Sequence, residues 1–115
     1  MFTQTINNCK FGDILLANLP FSEDPSSYKK RPVLVLKKNK HDYLVAKITS
    51  QLQNIEDYDV ELHPDNGNWL KEISLLKIFK ITSISKEILL GKLGTLNLSD
   101  QKEVKDKLLT FFNSL

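Results

Sequence analysis

Four apolar residues stand in an unbroken row, Val33-Leu34-Val35-Leu36, immediately after Lys29-Lys30-Arg31-Pro32. Side chains of a strand alternate between two faces, so a strand without a polar position must be covered on both faces or belong to a strongly coiled sheet. Pro32 has no N–H for the ladder and is expected only at the first position of the strand. After a turn at residues 39–42, the stretch 43–49 (YLVAKIT) completes an antiparallel hairpin.

The other segments fit around that hairpin. Residues 12–19 (GDILLANL) read as a strand, and 20–30, with two prolines and three serines, as a loop. Eleven residues is long for a hairpin connection, and long loops in small domains often carry function. Residues 57–63 alternate apolar with charged side chains, 64–69 form a turn, and 73–81 read as another strand. Residues 85–94 (SKEILLGKLG) predict a short helix capped by Ser85 and stopped at glycine. Residues 98–115 predict a terminal helix capped by Ser99, with Asp100 and Glu103 near the positive end of its dipole. Its stripe of Val104, Leu108, Phe111, Phe112 and Leu115 demands burial. Short strands with one terminal amphipathic helix predict a mainly β (α+β) fold, a small β-barrel or strongly bent sheet with that helix packed on it.

A chain of 115 residues fits one domain spanning 1–115. With 41% hydrophobic and 26% charged residues it has the composition of a soluble globular protein. One cysteine, Cys9, excludes an intrachain disulfide and suits a reducing compartment. No apolar run reaches the roughly 18 residues of a membrane span, and the first residues are too polar for a signal peptide, so a cytoplasmic location is expected. The net charge of +2 is weak for a dedicated nucleic-acid binder. The cations are clustered, however, at 29–31, 37–40 and 77–80.

Arg31 is the most informative of them. The residue before proline is pressed into extended geometry, which stiffens the backbone that carries the guanidinium. Its planar fork suits a phosphate, donating two parallel hydrogen bonds with a charge that is not lost. An ordinary ion pair with Glu23 or Asp24 is the structural alternative. At the end of the partner strand stand Thr49, Ser50 and Gln51. If Lys37 lies opposite Leu44, counting outward places Arg31 near Ser50, within about one residue. Hydroxyls and an amide beside an arginine make a polar nook; a simple strand-ending turn is the alternative. His41 and His63 have no further ligand at metal spacing, and the scattered glycines form no phosphate loop.

Taken in order, GDILLANLPF, KKRPVLVL, AKITSQ and ILLGKLGTLN before a terminal helix resemble the MazF/PemK (Kid-like) toxins of type II toxin–antitoxin pairs, across about residues 11–113. The resemblance implies an SH3-like β-barrel of the CcdB/PemK kind and a homodimer. It implies a metal-independent endoribonuclease without cofactor, cutting single-stranded RNA to leave a 2′,3′-cyclic phosphate and a 5′-hydroxyl. It implies a cognate antitoxin that covers the RNA groove. On this resemblance Arg31 and Thr49 are the catalytic pair. Lys30, Ser50, Gln51, Lys77 and Lys80 are expected to guide the RNA, and Phe21 or Tyr28 to stack on a base.

One departure matters. Some relatives carry an Arg-x-x-Asp-Lys-like segment before the short helix, whereas this chain has Thr82-Ser83-Ile84-Ser85-Lys86. The general base is therefore unassigned, with Glu23 or Asp24 available only if the loop folds inward. That gap keeps open a non-catalytic toxin or binding module on the same scaffold, such as a gyrase poison. A generic SH3-like adaptor is a third reading.

Overall fold

The computed structural model describes residues 8–20 and 28–115. Six strands form one antiparallel sheet: β1 (Asp13–Pro20), β2 (Tyr28–Lys38), β3 (Asp42–Thr49), β4 (Val60–Leu62), β5 (Ser74–Ser85) and β6 (Leu89–Thr95). Among the described residues a single α-helix, α1 (Leu98–Asn113), follows. The strand order is β4-β5-β3-β2-β1-β6.

Both faces of the central hairpin are covered, as the row at 33–36 requires. Leu34, Ile14, Ala46 and Ile48 belong to one apolar cluster, with Val104 of α1 packed into it. Val33, Val35, Leu15, Ala17, Val45 and Tyr43 belong to a second cluster, which Ile84 and Leu89 also join. β5 reaches both clusters because it bends. Ala46 pairs with Ile81 but its neighbour Lys47 pairs with Lys77, so Ile78, Phe79 and Lys80 bulge from the ladder.

The expected barrel is not closed by strand pairing. Among the described residues β4 and β6 are the two edges of the sheet. They approach through a turn instead: the Thr95 N–H donates to the Gly67 carbonyl at 2.9 Å. The turn is set by buried Asn68, whose amide donates to the His63 carbonyl at 2.8 Å and whose oxygen accepts from the Leu70 N–H at 3.0 Å. Gly94 packs so close that a Cβ there would lie 2.6 Å from the Gly67 carbonyl oxygen.

Four local expectations need correction. Pro32 sits inside β2, paired with Leu16. It is tolerated because pairing with β3 begins only at Val33, leaving one flank of β2 without a ladder at that point. The helix expected at 85–94 is a single 3₁₀ turn, Lys86–Ile88, followed by β6. The Ser85 cap is real, its Oγ accepting from the Glu87 N–H at 3.2 Å. Gly91 and Gly94 weaken the helical alternative, and the free edge of β1 offers a ladder to Leu89–Thr95. The cap of α1 is Asn97 rather than Ser99, with its Oδ1 accepting from the Asp100 N–H at 2.7 Å. Val104 is fully buried and Leu108 and Phe111 pack on the core, but Phe112 is half-exposed and Leu115 almost wholly exposed.

Candidate nucleic-acid groove

The hairpin register explains how the site arises. Lys37 does stand opposite Leu44. Leu36 then bulges, so that Val35 pairs with Val45 and Val33 with Lys47. Continuing that register outward by two residues brings Arg31 level with Thr49, one position inside the expected Ser50. Alternation does the rest. On β2 the face carrying Val35 and Val33 continues as Arg31 and Lys29; on β3 the face carrying Tyr43 and Val45 continues as Lys47 and Thr49. One sheet surface thus passes from apolar core to polar groove within two residues on each strand.

That surface lines a groove of about 890 Å³. Lys29 and Arg31 come from β2, Lys47 and Thr49 from β3, and Lys77 and Lys80 from β5. Gln51, Gln53, Asn54, Ile55 and Glu56 of the segment after β3 also line the groove, with Leu19 and Pro20 of β1. Five cations and one carboxylate stand among the described lining residues, in a chain whose net charge is +2. Arg31 is part-buried and has no ion-pair partner among the described residues. Thr49 makes the strand-ending turn: its Oγ1 accepts from the Gln51 N–H at 3.1 Å. The hydroxyl keeps its own proton to donate.

Of the residues expected to bind RNA, Gln51, Lys77 and Lys80 join Arg31 and Thr49 in the groove, and Lys30, Ser50 and Tyr28 do not line it. Lys30 alternates to the other face of β2 from Arg31, and Lys29 takes the position assigned to it. Phe21, Glu23 and Asp24 lie outside the described residues. Lys77 is not a free cation. Its Nζ lies 2.6 Å from Asp59 Oδ2, 3.1 Å from Glu56 Oε1 and 3.0 Å from the Asn54 carbonyl. Burial alone would lower its pKa; the hydrogen bonds to Asp59 and Glu56 outweigh burial and hold it above the ordinary lysine value. Lys77 therefore fixes the wall at 54–59.

Sequence reasoning placed Lys29 only in the cation cluster at 29–31, and missed Lys47 and Glu56. The two lysines were available from period-two counting back from Arg31 and Thr49. Glu56 sits in an irregular segment, where no periodicity indicates a direction. Residues Thr82–Ser85, the segment that departs from the Arg-x-x-Asp-Lys-like pattern, pair with Asp42–Val45 and do not line the groove. Cys9 is buried, and burial first, then the charge of Asp13, raise its thiol pKa, which opposes a thiolate nucleophile.

A family model described as the PemK-like, MazF-like toxin of type II toxin–antitoxin systems matches residues 10–112. No curated protein matches the chain. Among solved structures, an endoribonuclease in complex with its cognate antitoxin from a mycobacterial species superposes with a TM-score of 0.71 at 16% identity, over 91% of this chain and 95% of that one. The Mycobacterium tuberculosis toxin MazF-mt6 superposes with a TM-score of 0.65 at 20% identity, over 86% and 96%. A further Mtb toxin gives 0.61 at 19% identity, over 83% and 97%. At these identities the likeness is one of fold.

Proposed function

The chain belongs to the PemK-like, MazF-like toxin family of type II toxin–antitoxin systems, and from that premise we propose that it is an endoribonuclease that cuts single-stranded RNA in the groove built around Arg31 and Thr49. The observation that carries this reading is that Arg31 and Thr49 line one cation-rich groove, on the strand faces that continue the apolar core of Val33, Val35, Tyr43 and Val45.

In this reading the RNA 2′-oxygen attacks the adjacent phosphorus, so positioning and charge stabilisation dominate. Arg31 holds the non-bridging oxygens through its fork and stabilises the charge that grows on them. Thr49 donates a hydrogen bond from its hydroxyl to the same phosphate. Lys29, Lys47 and Lys80 draw the backbone along the groove. Cleavage of the P–O5′ bond leaves a 2′,3′-cyclic phosphate and a 5′-hydroxyl, and none of these roles calls for a metal ion or cofactor. The toxin acts in the cytoplasm as a homodimer with the SH3-like topology of its family, and a cognate antitoxin silences it by covering the groove. The endoribonuclease in complex with its antitoxin is the structural precedent for such a pair.

The test is cleavage of a long RNA in chelator by wild-type protein and by Arg31→Ala, with end-group analysis. Discrete cuts that leave cyclic phosphates and fall at least about 100-fold in the variant are expected. Undiminished cutting by a folded Arg31→Ala protein overturns the assignment. A non-catalytic reading drew its support from the missing acid at 82–86, yet the groove contains a carboxylate of its own.

A further inference from the structure

We infer that Glu56 is the general base of the cleavage reaction, held in position by Lys77. The inference rests on the endoribonuclease reading above. That reaction needs a group to take the 2′-hydroxyl proton, and a guanidinium, which has five N–H donors and no acceptor, does not serve. Among the described residues lining the groove, Glu56 is the only one that can accept a proton as a carboxylate.

Its placement suits the task. Glu56 Oε1 rests 3.1 Å from Lys77 Nζ, and the Glu56 side chain is 49% exposed. One end of the carboxylate is tethered while the rest faces the groove. Asp59 binds the same ammonium at 2.6 Å but is 3% exposed and has no access to substrate. The two acids thus divide the work: Asp59 anchors Lys77, and Lys77 presents Glu56. Lys77 in turn stands opposite Lys47, which precedes Thr49 by two residues on the same face of β3. Backbone positions 47 and 49 lie roughly 7 Å apart along the strand, and Lys47, Thr49, Lys77 and Glu56 all line the groove.

The step balances. The 2′-hydroxyl proton passes to a Glu56 carboxylate oxygen as the 2′-oxygen bonds to phosphorus. The P–O5′ bond breaks, and the leaving 5′-oxygen takes a proton from water at the open side of the groove. The hydroxide so formed recovers the proton from Glu56. The charged groups facing Glu56 are Lys77 and Lys80 of β5, Lys47 of β3, Arg31 and Lys29 of β2, and Asp59 behind Lys77.

The experiment measures steady-state cleavage of a short defined RNA against pH for wild type, Glu56→Gln, Glu56→Asp and Arg31→Ala, with a thermal melt for each. Glu56→Gln preserves size and a hydrogen-bond acceptor for Lys77 while removing basicity. We expect its kcat to fall at least about 100-fold with KM nearly unchanged, and the acid limb of the pH profile to disappear. Glu56→Asp is expected to be slower than wild type and to keep that limb. Should Glu56→Gln not fold, Glu56→Asp decides: a slower enzyme with the limb supports the assignment, and an enzyme without it overturns it. A folded Glu56→Gln enzyme with wild-type kcat and acid limb, beside an inactive Arg31→Ala, overturns the role of Glu56 and leaves the endoribonuclease reading standing. Absence of cleavage by folded wild type overturns both.

Discussion

The ammonium of Lys77 lies 2.6 Å from a carboxylate oxygen of Asp59, and both side chains are nearly excluded from solvent. A cation expected to face the ligand is instead the post that holds one wall of the groove. Removing it leaves Asp59 buried without a counter-charge, and its Oδ1 already lacks a hydrogen-bond partner. Lys77→Met is expected to cost about 3 kcal/mol, the range for breaking a buried pair from one side. Urea unfolding at pH 7 checks this. A loss within about 0.5 kcal/mol would mean that the 54–59 wall holds without the pair.

Gly94 makes a second long-range prediction. A methyl group at this position would meet the Gly67 carbonyl and the Asn68 backbone, neither of which can rotate away. Gly94→Ala should destabilise by about 1–3 kcal/mol through overpacking. A thermal melt that matches wild type would show that the 63–70 turn does not clamp β6.

Asp65 ties acid stability to the same turn. The Asn97 side-chain amide foremost, then the Gly67 N–H, hold its carboxyl below the ordinary value of 3.8; partial desolvation opposes them and the Asn68 N–H adds to the lowering. A depressed folded pKa contributes stability that is complete above 3.8 and lost as pH falls through the folded value. Asp65→Asn should therefore be less stable than wild type at pH 7, with the gap narrowing below about pH 4. Denaturant titrations at both pH values test the sign; a constant gap would contradict it.

Position along α1 predicts unequal costs from one apolar stripe. Val104 is fully buried, whereas Leu115 is 91% exposed. Val104→Ala is expected to lose about 1–2 kcal/mol, and Leu115→Ala less than about 0.5. Parallel melts of the two variants decide; equal losses would place Leu115 in an interface in solution.

Alternation on β2 predicts that neighbouring lysines differ. Lys29→Ala should weaken RNA binding and reduce the salt slope by about one, whereas Lys30→Ala, on the opposite face, should change neither by more than about twofold. Filter binding across a salt series distinguishes them, and the reverse order would show that RNA runs along the other face.

Much of the fold was legible because it is local. The row at 33–36 demanded two covered faces and received them. Counting from a turn placed Arg31 near Ser50, one residue from the position level with Thr49 to which the Val35–Val45 and Val33–Lys47 pairs extrapolate. The error came from Leu36, a bulge that no composition rule marks. The misread helix at 85–94 shows the limit of such reasoning. Ser85 caps as expected, but Ile88-Leu89-Leu90 fits either period, and the deciding factor was the unpaired edge of β1, more than seventy positions earlier.

By itself, then, the sequence determined the strand alternation, the central hairpin, the terminal helix and the cationic end of β2. These depend on side-chain period and steric preference over a few residues. Only the tertiary structure decided that Lys77 braces rather than binds, that Lys29 rather than Lys30 faces the groove, and that Glu56 enters it. Those outcomes depend on where β5 lies beside β3 and on where the 54–59 segment is pinned. Both are set by long-range burial and by a buried ion pair, which join residues eighteen positions apart and leave no local pattern in the chain.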